Sequence, residues 1–379
     1  MTHEAEPRRS VLLFIDSLKM GGAECVTLQW AEWLSKGGWS VTLLTSKSAA
    51  HDFYPVPVGL LRVQEPALPD LLDHALFWPF KLWRLRKLLE REQPALLIGM
   101  TTLPSIKLAL ASIGLSSRLV LSERNYPPAR PLDWHWRLLR RLAYPRAHLH
   151  LVQTQGISQW LQQRGLARRS VVLPNAIVWP IPRLAPQLNP KAFVPPGQKL
   201  ILAVGTKLHQ KGFDRLVAGF AGLQADFPDW SLVVLGIDDV PYRGVNQAAR
   251  LRKLMGSQSS RLILPGKVGN VGDWYEASAL FALSSRFEGY PNVLLEAMAS
   301  GLPCLAVDCP TGPSDLIDPG LNGWLVSEKV ASSDMAQPLR LAMENVAARE
   351  AFAFRAQAVR QINGPEALRP VFLDLMESL

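Results

Sequence analysis

The chain of 379 residues is predicted to fold as two successive doubly wound α/β units. Short apolar runs alternate with longer amphipathic runs in both halves, which is typical of parallel strands joined by helices. A proline-rich stretch at 176–198 separates the two series, and the length exceeds what one ordinary core holds. Because such sheets bind ligands at the carboxyl ends of their strands, we expect two Rossmann-like domains facing across a cleft that holds the active site.

The elements follow from the positions of these runs. In the first half we predict strands at 11–15, 41–45, 96–99, 119–122, 149–154 and 171–173, with helices at 23–36, 80–91, 104–113, 134–144 and 156–164. In the second half we predict strands at 200–204, 231–235, 262–265, 280–284, 303–307 and 324–326, with helices from 213, across 247–255 and from 293. Helix then dominates to residue 379.

The composition is that of a globular protein, with 48% hydrophobic and 19% charged residues and no repeat. No run approaches about 18 uninterrupted apolar residues, so no membrane span is predicted. The three cysteines are sparse and odd in number, which favours a reducing compartment over a disulfide framework. We therefore expect a cytoplasmic protein.

Charge is distributed unevenly along the chain. Residues 1–190 carry 23 Lys and Arg against 13 Asp and Glu, whereas residues 191–379 carry 18 against 19. Aromatic and basic residues are mixed at 77–89 and 134–141, as in helices that lie at a membrane surface. The alternative is a pair of amphipathic helices packed on their own sheet. The charge imbalance favours peripheral contact with an anionic membrane at its cytoplasmic face, and no nucleic-acid-binding motif accompanies it.

The segment at 284–297 carries the most information. An apolar strand ends, a Gly/Pro turn containing Glu288 and Gly289 follows, and Asn292 is predicted to be the N-cap of a helix that includes Glu296. Backbone amides at a helix start suit a diphosphate. Two carboxylates, one on each side of that helix start, would contact hydroxyls on both ends of a nucleotide sugar.

This segment resembles the E-x7-E motif of glycosyltransferase family 4, whose members have the two-domain GT-B fold. The resemblance implies that Glu288 contacts the donor sugar and that Glu296 holds the ribose. It also implies that the amides of Asn292, Val293 and Leu294 hold the diphosphate. It predicts a retaining hexosyltransferase in which the nucleotide sugar is a co-substrate, with no cofactor and no metal.

The segment at 203–214 resembles the family's Val-Gly-Arg-Leu…Lys-Gly stretch, in which Arg and Lys neutralise the diphosphate. Lys211 matches the lysine and Gly205 the glycine, but Thr206 stands where arginine is usual. Lysine cannot reproduce the bidentate contact of arginine. We expect the neighbouring Lys207 to substitute for it.

Three further stretches resemble parts of the family's site. The loop at 264–270 is similar to the one that receives the base through its backbone, which nominates Gly266 and Val268. Gly22 lies in a Gly-Gly-Ala-Glu loop like the one that faces the diphosphate in the first domain. Glu123 ends a strand where many relatives have a catalytic histidine, and we predict it as the replacement; the alternative is a structural ion pair with Arg124.

These assignments divide the chain into an acceptor-binding domain at 1–185 and a donor-binding domain at 186–360, with a helix at about 360–379 packing back on the first. The predicted partners are a nucleotide sugar, with UDP as the expected nucleotide, and a saccharide or lipid-linked saccharide of a cell-surface glycan. Two alternatives stay open: a nucleotide-sugar epimerase of the same architecture, and a catalytically inactive partner subunit.

Overall fold

A computed structural model describes residues 9–65, 78–242 and 244–379. The chain divides into two compact units, one formed by Met1–Asn175 with Leu368–Leu379 and the other by Ala176–Ala367. Among the described residues, each unit contains one wholly parallel sheet with helices between its strands. The predicted fold class, two Rossmann-like doubly wound sheets in succession, is confirmed.

The first unit has a seven-stranded sheet in the described part of the chain, with the order β3-β2-β1-β4-β5-β6-β7. The strands are β1 (Ser10–Ile15), β2 (Ser40–Thr45), β3 (Leu61–Gln64), β4 (Leu96–Met100), β5 (Arg118–Glu123), β6 (Leu149–Val152) and β7 (Ser170–Val172). The pattern of apolar runs does not predict β3. This strand has four residues at the sheet edge, and none of them is buried, so it lacks the apolar run that marked the others.

Helices connect these strands as the alternating pattern predicts. They are α1 (Gly22–Lys36), α2 (Trp78–Glu92), α3 (Thr102–Ala111), α4 (Trp134–Ala143) and α5 (Gln155–Gln163). The aromatic stretch predicted from Phe77 begins outside the described residues, and α2 starts one residue later. No helix in the described ranges combines the length and apolar character needed to cross a bilayer.

The second unit has a six-stranded sheet in the order β10-β9-β8-β11-β12-β13. The strands are β8 (Lys199–Val204), β9 (Trp230–Leu235), β10 (Leu262–Gly266), β11 (Leu280–Leu283), β12 (Cys304–Asp308) and β13 (Trp324–Ser327). Leu200 and Leu202 pack on one face of the sheet, while Ile201 and Ala203 pack on the other. Because both faces are covered, these strands read as continuous apolar runs.

Helices cover both faces of this sheet, and one further helix, α15 (Pro365–Glu377), leads from this unit back to the first. In chain order after β8, the other helices are α6 (Leu208–Lys211), α7 (Phe213–Ala221), α8 (Gln247–Met255), α9 (Val271–Glu276), α10 (Asn292–Ala299), α11 (Glu328–Ser333), α12 (Ala336–Glu344), α13 (Val346–Ala356) and α14 (Val359–Ile362). The end of α15 belongs to the first unit, where Phe372 stacks on Trp30 of α1 with ring centroids 4.8 Å apart.

Strand order reverses once in each sheet. In the first unit the reversal lies between β1 and β4, and in the second between β8 and β11. At such a switch point the connections leave in opposite directions and open a crevice at the carboxyl ends of the two strands. Most candidate site residues of the second unit follow β8 and β11, while Gly266 and Val268 lie at and just after the end of β10.

Candidate active site

The switch point of the second unit brings two predicted motifs together. The loop after β8 contains Gly205, Thr206 and Lys207 and leads into α6, which ends at Lys211. The loop after β11 passes through Glu288 before α10 begins. Because β8 and β11 are neighbours in the sheet, these loops meet although they are far apart in the sequence.

Lys211 and Glu288 form an ion pair at this meeting point. The Lys211 Nζ lies 2.7 Å from Glu288 Oε1, and the two side chains are only 15% and 7% exposed. The Ser285 hydroxyl donates to the same carboxylate oxygen at 2.5 Å. The aliphatic part of Lys211 lies over Gly205, where a Cβ atom would stand 2.7 Å from Lys211 Cγ. Partial burial strengthens the field of this pair on any ligand that reaches it.

A close backbone approach holds α6 against the end of β11. Gly212 has φ of +63°, and a Cβ there would lie 1.9 Å from the Ser284 carbonyl oxygen. The Ser284 hydroxyl also donates to the Lys211 carbonyl oxygen at 2.8 Å. Only glycine fits such a position, so the Lys-Gly pair of the motif has a packing reason as well as a chemical one.

Arg215 of α7 fastens the start of the Glu288 loop. Its Nε donates to the Ser284 carbonyl at 2.8 Å and its Nη2 to the Ser285 carbonyl at 2.7 Å. The same guanidinium pairs with Glu328 of α11 at 2.8 Å. Two backbone carbonyls and a carboxylate are thereby fixed by one side chain, as the planar donor set of arginine allows.

A second arginine, Arg286, holds the same loop to α7 from the loop side. Arg286 makes a bidentate pair with Asp214 of α7, with both distances at 2.8 Å. Burial acts to raise the pKa of the Asp214 carboxyl, but the hydrogen bonds and charge of Arg286, together with backbone hydrogen bonds at the start of α7, hold that pKa below its usual value. The loop from Ser284 to Glu288 is therefore held to α7 at two points, through Arg215 at its start and through Arg286 next to it.

The start of α10 differs from its prediction by one residue. Pro291 occupies the N-cap position, and Asn292, predicted as the N-cap, is the first residue of the helix. Proline fixes φ without donating a backbone hydrogen bond, and it leads the chain into the helix here. The Leu294 amide donates to the Pro291 carbonyl at 2.9 Å, so it is already used within the first turn. The predicted diphosphate contact therefore receives less support at Leu294.

Glu296 lies in the second turn of α10, half-buried, and receives the Tyr275 hydroxyl at 2.9 Å on Oε2. Burial raises the pKa of the Glu296 carboxyl to about 7, while the Tyr275 hydrogen bond and the nearby Lys211 charge act in the opposite direction. Lys211 therefore acts electrostatically on both glutamates of the motif. This geometry makes Glu296 a hydrogen-bond acceptor whose charge changes near neutral pH.

The remaining predicted residues of the second unit lie at the end of the sheet where the carboxyl ends of its strands meet. Thr206 and Lys207 are half-buried in the loop before α6. Gly289 is buried directly after Glu288, and Gly266 ends β10 with φ of +83°. The Val268 side chain is 8% exposed and packs in the core, so a ligand would meet only its backbone.

In the first unit, Gly22 is the first residue of α1, after an extended Gly21. Glu123 is buried at the end of β5, where Thr102 donates to Oε1 and Tyr144 to Oε2, both at 2.8 Å. Burial raises the pKa of the Glu123 carboxyl. Both carboxyl oxygens are occupied, so this placement gives no support to direct contact with a substrate.

The alternative ion pair between Glu123 and Arg124 is not formed. Arg124 points to the other face of the sheet, where it hydrogen bonds Ser122 and Asn175 and lies over the Trp30 ring with Cζ 5.0 Å from the centroid. Consecutive strand residues face opposite sides. Within the described ranges, no group of three or more metal-binding side chains occurs.

Two family models together match nearly all of the chain. Residues 20–178 match the family model described as Glycosyltransferase Family 4, and residues 186–359 match the one described as Glycosyl transferases group 1. The chain belongs to glycosyltransferase family 4. It is therefore a glycosyltransferase, and its two units are the two Rossmann-like domains of the GT-B class.

Three bacterial relatives show the extent of the similarity to this family 4 glycosyltransferase. An uncharacterized glycosyltransferase of Haemophilus influenzae is 28% identical over 330 residues, which are 86% of this chain and 87% of the relative. The amylovoran biosynthesis glycosyltransferase AmsD of Erwinia amylovora is 25% identical, over 81% and 83% of the two chains. The lipopolysaccharide 1,6-galactosyltransferase of Salmonella typhimurium is 32% identical over 47% of this chain and 48% of the relative.

Solved structures share the fold over almost the full length. HepE of Anabaena in complex with UDP-glucose superposes with a TM-score of 0.79 at 17% identity, covering 98% of this chain and 100% of HepE. Sucrose-phosphate synthase of Thermosynechococcus elongatus gives a TM-score of 0.78 at 18% identity, covering 98% and 99%.

Several side chains that organise the site of this glycosyltransferase escaped sequence reasoning. Tyr275, Arg215 and Asp214 lie outside the glutamate motif, and each acts through a partner more than 20 residues away. Arg286 lies two residues before the motif, and only the folded chain reveals its pairing with Asp214. The spacing of a short motif points to residues that contact a ligand more readily than to residues that hold the motif in place.

Proposed function

We propose that this enzyme transfers a hexose from a UDP-sugar to a saccharide or lipid-linked saccharide in the synthesis of a cell-surface glycan. The Lys211–Glu288 pair at the β8/β11 switch point carries the proposal. It presents a cation for the diphosphate and a carboxylate for the sugar hydroxyls within one site. The names of the amylovoran and lipopolysaccharide relatives support the acceptor class, and the UDP-glucose complex of HepE supports the nucleotide.

The donor is held along α10 in this proposal. The diphosphate lies at the start of the helix, near the Val293 amide, with Lys211 beside it. Glu288 accepts from hydroxyls of the sugar, and Glu296 accepts from the ribose. Gly266 and the backbone of Val268 receive the base, because neither position projects a side chain into the space above the sheet edge.

Transfer proceeds with retention of the anomeric configuration. The bond between the anomeric carbon and the diphosphate oxygen breaks, and the acceptor oxygen bonds to that carbon on the same face. The acceptor proton passes to the departing diphosphate oxygen. Lys211 stabilises the negative charge that develops on the leaving group, a contribution that is large in a partly buried site. No metal or other cofactor is required.

Glu123 has a supporting part in this mechanism. Its carboxyl holds Thr102 at the start of α3 and Tyr144 at the end of α4, beside the switch point of the first unit. Both oxygens are occupied, so Glu123 orders the acceptor domain and does not touch the reacting atoms.

A thermal-shift screen tests the donor assignment. UDP-glucose, UDP-galactose, GDP-mannose and ADP-glucose are added separately, because binding to the native state stabilises it by about 2.7 kcal/mol at a hundredfold excess over Kd. We expect the UDP-sugars to raise Tm and the others to leave it unchanged. A shift with GDP-mannose alone would replace UDP by GDP, and no shift with any of the four would overturn the donor site.

A face of the first unit supports peripheral contact with an anionic membrane. Trp134 and Leu138 of α4 are 71% and 51% exposed, one helical turn apart, and Arg137 and Arg141 are exposed beside them. On α2, Phe80 and Trp83 stack at 5.5 Å and remain exposed. We call these residues the aromatic-basic face: Phe80, Trp83, Trp134, Arg137, Leu138 and Arg141.

The two helices of this face are neighbours. Trp78 of α2 lies 6.3 Å from Trp136 of α4, ring to ring. Arg140 turns away from the face and lies over the Trp160 ring at 4.9 Å, so it belongs to the packing of α4 on α5. Exposed aromatic and basic side chains on adjoining helices suit the headgroup region of an anionic bilayer. We therefore propose that the enzyme binds peripherally at the cytoplasmic face of the membrane.

A further inference from the structure

Tyr275 is a buried residue with a fixed position beside the glutamate motif. It is 1% exposed, and its ring packs edge-on against Phe281 of β11 with centroids 5.9 Å apart. Its hydroxyl lies 2.9 Å from Glu296 Oε2 and 3.1 Å from the Val293 carbonyl oxygen. A ring held this firmly carries its hydroxyl with little freedom to move.

We propose that Tyr275 is a positioning residue for nucleotide binding: its hydroxyl fixes Glu296 Oε2 and leaves Oε1 to accept from the ribose. This inference rests on the proposed function, because it assigns a second residue to the same donor site. A hydroxyl that donates to a carboxylate restricts its rotamers and favours its charged form. Removing it should therefore affect both the geometry and the protonation of Glu296.

The charged and titratable groups near Glu296 come from several elements. Lys211 approaches from α6 and is joined to Glu288, while Tyr275 approaches from α9. The Cys304 thiol of β12 interacts electrostatically with Tyr275, and burial raises the pKa of that thiol, so it stays protonated at neutral pH. Arg360 of α14 donates to the Ala299 carbonyl at the far end of α10. Tyr275 and Lys211 are thus the groups that lower the pKa of Glu296 and partly offset the effect of burial.

The expected consequence is a pH-dependent affinity for UDP. Burial raises the pKa of Glu296 to about 7, so affinity should rise as the pH passes through that value and the carboxylate forms. Without the Tyr275 hydroxyl the pKa should rise further. At pH 7 the Tyr275→Phe variant should bind UDP about threefold to tenfold more weakly, the effect of one lost hydrogen bond. The difference should shrink at high pH, where both proteins carry the carboxylate.

Calorimetric titration of UDP between about pH 6 and pH 9 tests this. The parent and Tyr275→Phe are compared with two further variants, Glu296→Gln and Tyr290→Phe. Glu296→Gln lacks the carboxyl group, so any pH dependence of affinity that remains in it comes from UDP or from other residues. The difference between its pH profile and that of the parent gives the contribution of Glu296. Tyr290→Phe is the matched control, since Tyr290 is 7% exposed in the same unit and its hydroxyl contacts only Asn363 among the described residues, at 3.0 Å. It should show the parent's pH profile.

A shift of the affinity midpoint to higher pH in Tyr275→Phe, and not in Tyr290→Phe, supports the inference. An unchanged Tyr275→Phe profile would overturn it, as would an equal loss at every pH, which indicates packing alone. Thermal unfolding of each variant shows whether it is folded. If the parent protein failed to bind UDP at any pH, the proposed UDP donor would fall and this inference with it, whereas parent binding with an unchanged variant overturns the inference alone.

Discussion

Lys211 Nζ and Glu288 Oε1 lie 2.7 Å apart, although the two residues are separated by 77 positions in the sequence. The pair joins the loops that follow β8 and β11, and both side chains are mostly buried. In the proposed donor complex each partner exchanges the other for a ligand group, the lysine for the diphosphate and the glutamate for sugar hydroxyls. The pair therefore orders the site and leaves no unpaired buried charge before the donor binds.

Replacing Lys211 with alanine should reduce turnover by roughly 10²- to 10³-fold, the usual loss when a group that stabilises developing negative charge is removed. It should also destabilise the protein by about 1–3 kcal/mol, since it leaves the Glu288 carboxylate without its cation. Initial rates and urea unfolding of the purified variant measure the two effects separately.

The double variant Lys211→Ala, Glu288→Gln separates the effect on turnover from the effect on stability. Removing both charges should restore much of the unfolding free energy, because no unpaired carboxylate remains. Turnover should stay low. Recovery of turnover together with stability would show that Lys211 serves only to neutralise Glu288.

Glu296 predicts a pH dependence of stability measured without nucleotide. Its pKa is about 7 in the folded protein and about 4.5 in the unfolded chain. Between these values the folded state binds more protons than the unfolded state, so this group makes stability fall as pH rises from about 4.5 to about 7 and adds no further change above that. Urea unfolding of the parent and of Glu296→Gln should show this loss in the parent only. If the unfolding free energies of the two proteins changed in parallel with pH, the raised pKa assigned to Glu296 would be refuted.

Thr206 and Lys207 test the departure from the family motif. If Lys207 replaces the missing arginine, Lys207→Ala should reduce turnover in the same manner as Lys211→Ala but by a smaller factor, and Thr206→Arg should add little. The reverse outcome, a silent Lys207→Ala and a more active Thr206→Arg, would place the cation site at 206. Initial-rate measurements with a UDP-sugar donor decide between them.

The aromatic-basic face predicts binding to vesicles that contain anionic lipid, with release as salt rises. Each exposed cation near such a surface contributes on the order of 1 kcal/mol. The double variant Arg137→Ala, Arg141→Ala should sediment less with these vesicles and retain turnover of a short saccharide acceptor. Arg140 is left unchanged because it packs on Trp160.

The matched control removes two exposed cations from another helix. Arg250 and Lys253 are exposed on α8 of the second unit, so replacing both with alanine changes the net charge equally. This control should sediment like the parent. Equal losses in the two double variants would show a response to net charge only, and no vesicle binding by the parent would assign the face to another use.

Sequence reasoning recovered the parts of the fold that leave a periodic pattern. The strands around Leu13, Leu97 and Val234 are continuous apolar runs because both faces of each sheet are covered. The half-exposed edge strand β3 has no such run and was missed. The N-cap of α10 was misplaced by one residue, because Pro291 and Asn292 both suit a helix start and local preference does not separate them.

The site could be predicted only where a ligand contact leaves a motif. The motifs predict Glu288, Glu296 and Lys211 as donor contacts, and the folded chain brings these three residues close together. Tyr275 left no signal, because its contact with Glu296 depends on where α9 packs. Glu123 was assigned by analogy of position, and its burial between Thr102 and Tyr144 depends on long-range packing that no local pattern encodes.

The division of work between the two glutamates is the most direct test of the account, and calorimetric titration of UDP measures it. Glu296→Ala should bind UDP more weakly by roughly 1.5–3 kcal/mol, the value of a charge-assisted hydrogen bond. Glu288→Ala should bind UDP at least as tightly as the parent, because Lys211 loses its competing partner, while transfer to an acceptor falls sharply. Parent-like affinity in Glu296→Ala, or equal weakening in both variants, would contradict the assignment of this sheet edge as the donor site.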